Sequence, residues 1–383
     1  MRQITRRLAE PLRRAARGFP AVVLTGPRRA GKTFCLRHTF PEADYRLLEA
    51  PDVLAQVKAD PRGFLDEVRL PVILDEIQNA LELLPYIRAR VDARPRATGR
   101  WLLTGSHDFS MMEGLSESMA GRAAVLRMLP LSVPELHEVD LLRGGFPEVW
   151  ARPKVAATWF QSYLQTYLER DVRSVTQVKD LSTFRRFLGL VAARNAQLLN
   201  RTELAAPLGV SIPTVGQWLS VLETTGVVLS VPPYFENFEK RLIKSPKLYW
   251  ADTGLLCHLL GITDRGALAR SAFHGPVFET LVATEIAKAQ LNAGGVVQLY
   301  HFRDQQGLEV DFLVPRAGGS VDLVEAKATK TITPEMARPL QTLSAALKKR
   351  PHRALIVHPG DARARTVAPG VLAVGLEAWL DEW

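Results

Sequence analysis

The run Gly26 to Thr33, GPRRAGKT, constrains this chain more than any other stretch. It follows a short apolar segment, Ala21 to Leu24, and fits the pattern G-x-x-x-x-G-K-[ST] of a phosphate-binding loop set between a strand and a helix. Gly26 and Gly31 allow backbone angles that bulkier residues resist, so that successive N–H groups can turn inward around an anion. Lys32 is expected to reach the outer phosphates of a nucleotide, and the Thr33 hydroxyl to hold Mg²⁺. The whole loop, Gly26, Pro27, Arg28, Arg29, Ala30, Gly31, Lys32 and Thr33, is therefore the expected ATP-binding set. The competing reading is a plain Gly-rich turn.

A second segment argues against the plain turn. Leu70 to Leu74, LPVIL, reads as a fully buried strand and ends in Asp75-Glu76. In a nucleotide hydrolase the first acid holds Mg²⁺ through water and the second polarises the attacking water as general base. A third strand, Trp101 to Leu103, runs into Thr104-Gly105-Ser106, and Ser106 or Thr104 is the expected sensor between nucleotide and catalytic acid. Strands alternate with helices to about residue 130, which predicts a parallel sheet with its ligand at the strands' carboxyl ends.

At 383 residues the chain is long enough for two or three domains, and 47% hydrophobic with 23% charged residues describes a globular protein. No apolar run has the length needed to span a bilayer. Cys35 and Cys257 are the only cysteines, which argues against a disulfide framework or a Cys-built zinc site. The apolar run behind the Arg-rich N-terminus is too short for a signal peptide. These features predict a cytoplasmic protein with no membrane partner. The net charge of +9 favours a polyanion such as DNA as partner, although Arg-rich composition also follows from GC-rich coding. Near the N-terminus Ile4, Leu8 and Leu12 recur every four residues among Arg2, Arg6, Arg7, Arg13, Arg14 and Arg17. That spacing predicts an amphipathic helix whose basic face is either solvated or on DNA.

In the middle of the chain, residues 155 to 173 read as one long helix with Phe160, Tyr163, Leu164, Tyr167 and Leu168 on one face. Arg122 and Arg170 are two candidates for an arginine finger that completes a neighbour's nucleotide site, a role that requires a homo-oligomeric ring or dimer. The alternative for each is a surface or ion-paired Arg. Residues 198 to 251 read as a winged helix: a short helix 202–208, a turn at Gly209, a second helix 213–224, and a strand pair 227–231 and 247–250. Thr214, Gln217 and Ser220 would face DNA from the second helix, and Lys240, Arg241 and Lys244 from the wing. The helix face carries no Arg or Lys, so base reading would be weak and protein docking is the rival use.

The last third places Glu279 on a helix, Asp311 on the second strand of a hairpin, and Glu325-x-Lys327 on the next strand. Strand alternation puts Glu325 and Lys327 on the same face. An acid on a helix with Asp and Glu-x-Lys on strands is a metal-nuclease constellation: Glu279, Asp311 and Glu325 would hold Mg²⁺, and Lys327 would orient the attacking water. Solvated charges, or a nuclease fold kept for binding, are the alternatives.

Taken in order, GPRRAGKT, LDEIQ, LLTGS, AGRAAVLRMLPLS, GGFPEV, YLERDV, FETLVATEI, EVDFLV and VEAKAT make the chain resemble prokaryotic AAA-type ATPases fused to a C-terminal domain of unknown function with winged-helix and restriction-endonuclease-like parts. The resemblance covers nearly the whole chain. It implies an α/β fold with a P-loop AAA-type parallel sheet at 1–135, a helical and winged-helix domain at 136–262, and a restriction-endonuclease-like α/β domain at 263–383. It also implies ATP hydrolysis around Lys32, Thr33, Asp75 and Glu76. Three functions follow as expectations: an ATPase coupled to remodelling or processing of branched or broken DNA; a nucleotide switch that binds a protein partner and keeps an inactive nuclease-like fold; and an ATP-gated endonuclease.

Overall fold

A computed structural model of the chain describes residues 4–105, 118–168, 181–234, 244–347, 350–360 and 362–383. It forms two compact units, one made of Met1–Leu131 with Thr224–Gly226 and Leu291–Val296, the other of Ser132–Glu223, Val227–Gln290 and Val297–Trp383.

The first unit is built on five strands: β1 (Ala21–Thr25), β2 (Asp44–Leu47), β3 (Val72–Asp75), β4 (Trp101–Thr104) and β5 (Ala123–Arg127). They pair in the order β2-β3-β4-β1-β5, every pair parallel. β1, β3 and β4 are continuous apolar runs because helices cover both faces of the sheet. Strand alternation divides the side chains: Val23, Leu74 and Leu103 enter one core with the helix Leu83–Ala93, and Val22, Leu24, Ile73 and Leu102 enter the other. The second core also takes Leu8, Leu12 and Ala16 from the N-terminal segment. The expected amphipathic helix spans Ala9–Gly18, starting later than the apolar pattern. Because β4 lies between β1 and β3, the carboxyl ends of these three strands open side by side. This is where the sheet presents the phosphate loop, Asp75 and Thr104.

The second unit holds a three-stranded antiparallel sheet, β6 (Gln197–Leu198), β7 (Val228–Val231) and β8 (Lys247–Trp250), in the order β6-β8-β7. Helices Leu181–Ala193, Arg201–Ala205 and Ile212–Thr224 bury Phe184, Phe187, Leu204, Trp218 and Leu222 in one aromatic-rich core. The helix expected over residues 155–173 is helical from Ala156 through Leu168 but changes hydrogen-bonding pattern on the way, and residues 169–173 lie outside the described residues. A 3₁₀ turn at Pro153–Val155 leads into a helix Ala156–Tyr163 and then a π-helical stretch Leu164–Leu168. Pro153 suits the first turn, where a missing N–H costs nothing. Phe160 and Tyr163 are buried as the periodicity predicts.

The same unit carries a six-stranded mixed sheet: β9 (Tyr300–Arg303), β10 (Glu309–Pro315), β11 (Val321–Ala326), β12 (His352–His358), β13 (Arg365–Ala368) and β14 (Val371–Gly375), in the order β13-β14-β12-β11-β10-β9. β11, β12 and β14 run parallel; the hairpins at either edge are antiparallel. The helix His274–Asn292 packs Phe278, Leu281 and Val282 with Phe312, Val324 and Val357, while Leu340 and Leu343 of the helix Arg338–Ala346 pack with Leu313, Leu323 and Ile356. The β9–β10 register shifts between Val310 and Leu313, at the position of Asp311.

Candidate functional site

The loop after β1 has the backbone its sequence predicts. Gly26 sits at φ 143°, and a Cβ there would lie 2.0 Å from the Met128 carbonyl oxygen, so no larger residue fits. Gly31 takes φ 94° and opens the helix Lys32–Thr39. Arg29 is itself left-handed, at φ 62°. Pro27 and Ala30 are buried, Arg28 is half-buried and Arg29 exposed. Lys32 is buried, and its Nζ donates to the carbonyls of Gly26 (2.9 Å) and Pro27 (3.0 Å), which holds the ammonium at the mouth of the loop.

The Thr33 hydroxyl lies 3.0 and 2.9 Å from the two carboxylate oxygens of Asp75. Ligands on adjacent vertices of an octahedral Mg²⁺ are about 2.9 Å apart, given its short metal–oxygen distances, so this pair fits such an ion and its water shell. The Thr104 hydroxyl at the tip of β4 donates to Asp75 and accepts the Glu76 N–H at 3.2 Å. It thus ties the Asp75 carboxylate to the backbone of Glu76. Glu76 sits at φ 60°, and its carboxylate accepts from the Gln78 amide. A left-handed conformation costs a non-glycine residue roughly 1–2 kcal/mol, a strain typical of functional positions. Ser106 lies outside the described residues.

Two groups of this site escaped the sequence. The Tyr45 hydroxyl on β2 donates to Asp75 Oδ2 at 2.7 Å, while the Arg37 guanidinium lies over the Tyr45 ring at 4.7 Å. Burial, and then the bond to Asp75, raises the phenol's pKa, so Tyr45 stays a donor. Arg6, grouped in sequence with the basic N-terminal face, is buried instead: Nη1 donates to Ala30 O (2.9 Å) and Nη2 to Leu129 O (2.7 Å). It braces the phosphate loop from behind, while Arg7, Arg13, Arg14 and Arg17 are exposed. Outer-shell partners of metal-site carboxylates typically contribute 10–100-fold. Tyr45→Phe is therefore expected to raise the Mg²⁺ concentration for half-maximal turnover by roughly tenfold. An unchanged Mg²⁺ titration would deny the hydroxyl that role.

Arg122 precedes β5 at the amino end of the sheet, opposite the phosphate loop, and pairs bidentately with Asp92 (Nε–Oδ1 2.5 Å, Nη2–Oδ2 3.0 Å). From there it has no path to its own loop, and a role on a neighbour's site requires this pair to open. Arg170 lies outside the described residues, as do Lys240 and Arg241. Of the proposed DNA-contacting groups that are described, Gln217 and Lys244 are exposed, and Thr214 is half-buried with its hydroxyl 2.8 Å from that of Ser211.

In the second unit the half-buried Glu279 and Glu309 and the buried Asp311 and Glu325 form an acidic cluster, into which the buried Lys247 of β8 inserts. Its Nζ is 3.1 Å from Glu279 Oε1, 2.5 Å from Glu309 Oε1 and 3.6 Å from Asp311 Oδ1. Tyr249 donates to the same Glu279 oxygen at 2.6 Å, the Ala326 N–H donates to Asp311 Oδ2 at 2.9 Å, and Lys327 donates to Glu325 Oε2 at 2.7 Å. The last bond places Lys327 and Glu325 on one face, as strand alternation predicts. Burial alone would lower the Lys247 pKa, but Glu279, Asp311 and Glu309 raise it, so it stays charged. Lys247, Tyr249 and Glu309 were not singled out from sequence; a Lys opening the otherwise apolar strand KLYW was the available signal.

Burial, then repulsion from Asp311, pushes Glu325 up to about 8 and Glu279 up to about 7. A carboxyl raised in the folded state adds stability that is complete below its unfolded pKa and is lost as pH rises through the folded value. Glu325→Gln, neutral at every pH, is therefore expected to gain stability relative to wild type as pH climbs from about 5 to 8. Urea unfolding midpoints at several pH values check this; a difference that stays flat would refute the shift.

Three family models match successive parts of the chain. Residues 18–137 match a family model described as an AAA domain, residues 135–266 a domain of unknown function (DUF8612), and residues 274–379 a domain of unknown function (DUF4143). The Walker-type ATPase PABY2304 of Pyrococcus abyssi is similar at 16% identity and a TM-score of 0.43, over 68% of this chain and 98% of that one. The uncharacterized proteins Rv2008c of Mycobacterium tuberculosis and Mb2031c of Mycobacterium bovis are each 35% identical over 362 residues, 93% of this chain and 80% of theirs. With its AAA domain ahead of a C-terminal DUF4143 domain, the chain belongs to the family of these mycobacterial proteins.

Proposed function

We propose that this protein is a Mg²⁺-dependent ATP hydrolase that couples turnover to work on DNA. The observation that carries the hydrolase reading is the convergence of Lys32, Thr33, Asp75, Glu76 and Thr104 at one edge of the parallel sheet. Mg²⁺, held by Thr33 and Asp75, would neutralise phosphate charge. Lys32 would exchange its loop carbonyls for a nucleotide oxygen, and Glu76 would take the proton of the attacking water. Arg122 or Arg170, acting across a ring or dimer, would complete a neighbour's site.

The DNA reading rests on the net charge of +9 and on two modules of the second unit. The helices Arg201–Ala205 and Ile212–Thr224 with the β6-β8-β7 sheet support a winged-helix reading, in which the exposed Lys244 would belong to the wing. The mixed sheet with its acidic cluster supports a restriction-endonuclease-like fold, suited to branched or broken DNA. Turnover measured with duplex, single-stranded and four-way-junction DNA is expected to rise with one form, and binding to weaken steeply with salt. DNA-indifferent turnover, with no binding at low salt, would sink this reading.

A protein-binding switch is favoured by one observation. Ile212, at the start of the helix Ile212–Thr224, is 46% exposed, and the Thr214–Gln217 face carries no cation. A co-purifying protein, with turnover indifferent to DNA, would establish that alternative. ATP-gated cleavage requires a divalent ion among Glu279, Asp311 and Glu325, where Lys247 already lies.

A further inference from the structure

We propose that the Lys247 ammonium is the resident cation of the Glu279–Glu309–Asp311 cluster, so that the cluster fastens β8 to the C-terminal sheet and takes no divalent metal. The carboxylates come from two elements, the helix His274–Asn292 and β10, while the ammonium comes from a third, β8. Lys247 is 2% exposed, so its charge has no solvent to stabilise it and depends on these acids. Its contacts at 3.1, 2.5 and 3.6 Å use one oxygen from each of Glu279, Glu309 and Asp311. The other oxygen of Asp311 accepts the Ala326 N–H, and Lys327 occupies Glu325.

A divalent ion needs carboxylate lone pairs directed at one point, and room for water. Here that point holds a fixed positive charge. With the ammonium at that point the carboxylates do not converge on an ion: among the described residues, no group of three or more His, Cys, Asp or Glu is arranged to hold one. The joint is reinforced beside the cluster. The Tyr234 N–H donates to the His301 carbonyl (2.8 Å), the His301 N–H donates to the Pro232 carbonyl (3.0 Å), and the His301 ring contacts the Ser245 carbonyl at 3.1 Å. The segments flanking β7 and β8 are thus pinned to β9 while Lys247 is pinned to β10. The proposal goes beyond nucleotide hydrolysis and stands or falls apart from it.

The test is Mn²⁺ binding by electron paramagnetic resonance, on the full chain without nucleotide. Asp75→Asn is present throughout to remove the acid of the N-terminal metal site. With Lys247 in place, no Mn²⁺ should bind at micromolar concentration. Lys247→Met, which keeps an unbranched chain of similar length, should create one site, with affinity higher by at least about tenfold, and adding Asp311→Asn should remove it. One bound Mn²⁺ with Lys247 present, lost on Asp311→Asn, overturns the proposal; that measurement holds whether or not Lys247→Met folds. A folded Lys247→Met chain that gains no Mn²⁺ also overturns it, because the ammonium would then not be what excludes the ion.

Discussion

Glu76→Gln is expected to keep ATP affinity and to lower turnover by roughly 10²–10⁴-fold, the usual contribution of a positioned general base. The substitution preserves the size of the side chain and its ability to accept the Gln78 amide. It preserves the backbone N–H bond to Thr104, which fixes the residue beyond the tip of β3. It leaves Lys32 and the Thr33–Asp75 pair untouched, so the groups proposed to bind phosphate and metal remain. Only the capacity to take a proton from water disappears. Binding of a fluorescent ATP analogue together with phosphate release separates the two effects. Equal turnover by variant and wild type would remove Glu76 from the chemistry.

Lys247→Ala is expected to destabilise the protein by about 3–5 kcal/mol near neutral pH, the cost of breaking a buried ion pair from one side. Three carboxylates lose their shared cation at once. Protonation offers them an escape, most readily at Glu279, which already titrates near 7 through burial and the proximity of Asp311. The penalty should therefore shrink as pH falls from 7 toward 5, where Glu279 takes up a proton and one of the unpaired charges is removed. Urea unfolding at both pH values measures it. A loss below about 1 kcal/mol at pH 7 would place the cluster among weak, solvent-screened pairs.

The nucleotide end of this chain was legible because its chemistry is local in sequence. Gly26, Gly31, Lys32 and Thr33 occupy one turn, and Asp75-Glu76 close one apolar strand, so the spacing announces the site. Thr104 was legible for the same reason, as the polar tip of the run Trp101–Leu103. Tyr45 and Arg6 were not, because each joins the site only through sheet order and chain return. Tyr45 reaches Asp75 from a strand thirty positions earlier, and Arg6 meets Leu129 from the far side of the domain. In the C-terminal part, the helix acid and the Glu-x-Lys strand were readable as a constellation. The ion that occupies it was not, since Lys247 arrives from an element that the sequence assigns to the winged-helix module. A composition rich in arginine also misled at Arg6, where a cation expected on a basic face instead satisfies two carbonyls.

The most direct test of the account is phosphate release from ATP by the full chain, with Mg²⁺ or with chelator, beside the Lys32→Ala variant. The account predicts Mg²⁺-dependent turnover that falls to background in Lys32→Ala, because the ammonium held at Gly26 and Pro27 is the group proposed to meet the nucleotide. Turnover that survives Lys32→Ala, or that ignores Mg²⁺, would contradict it.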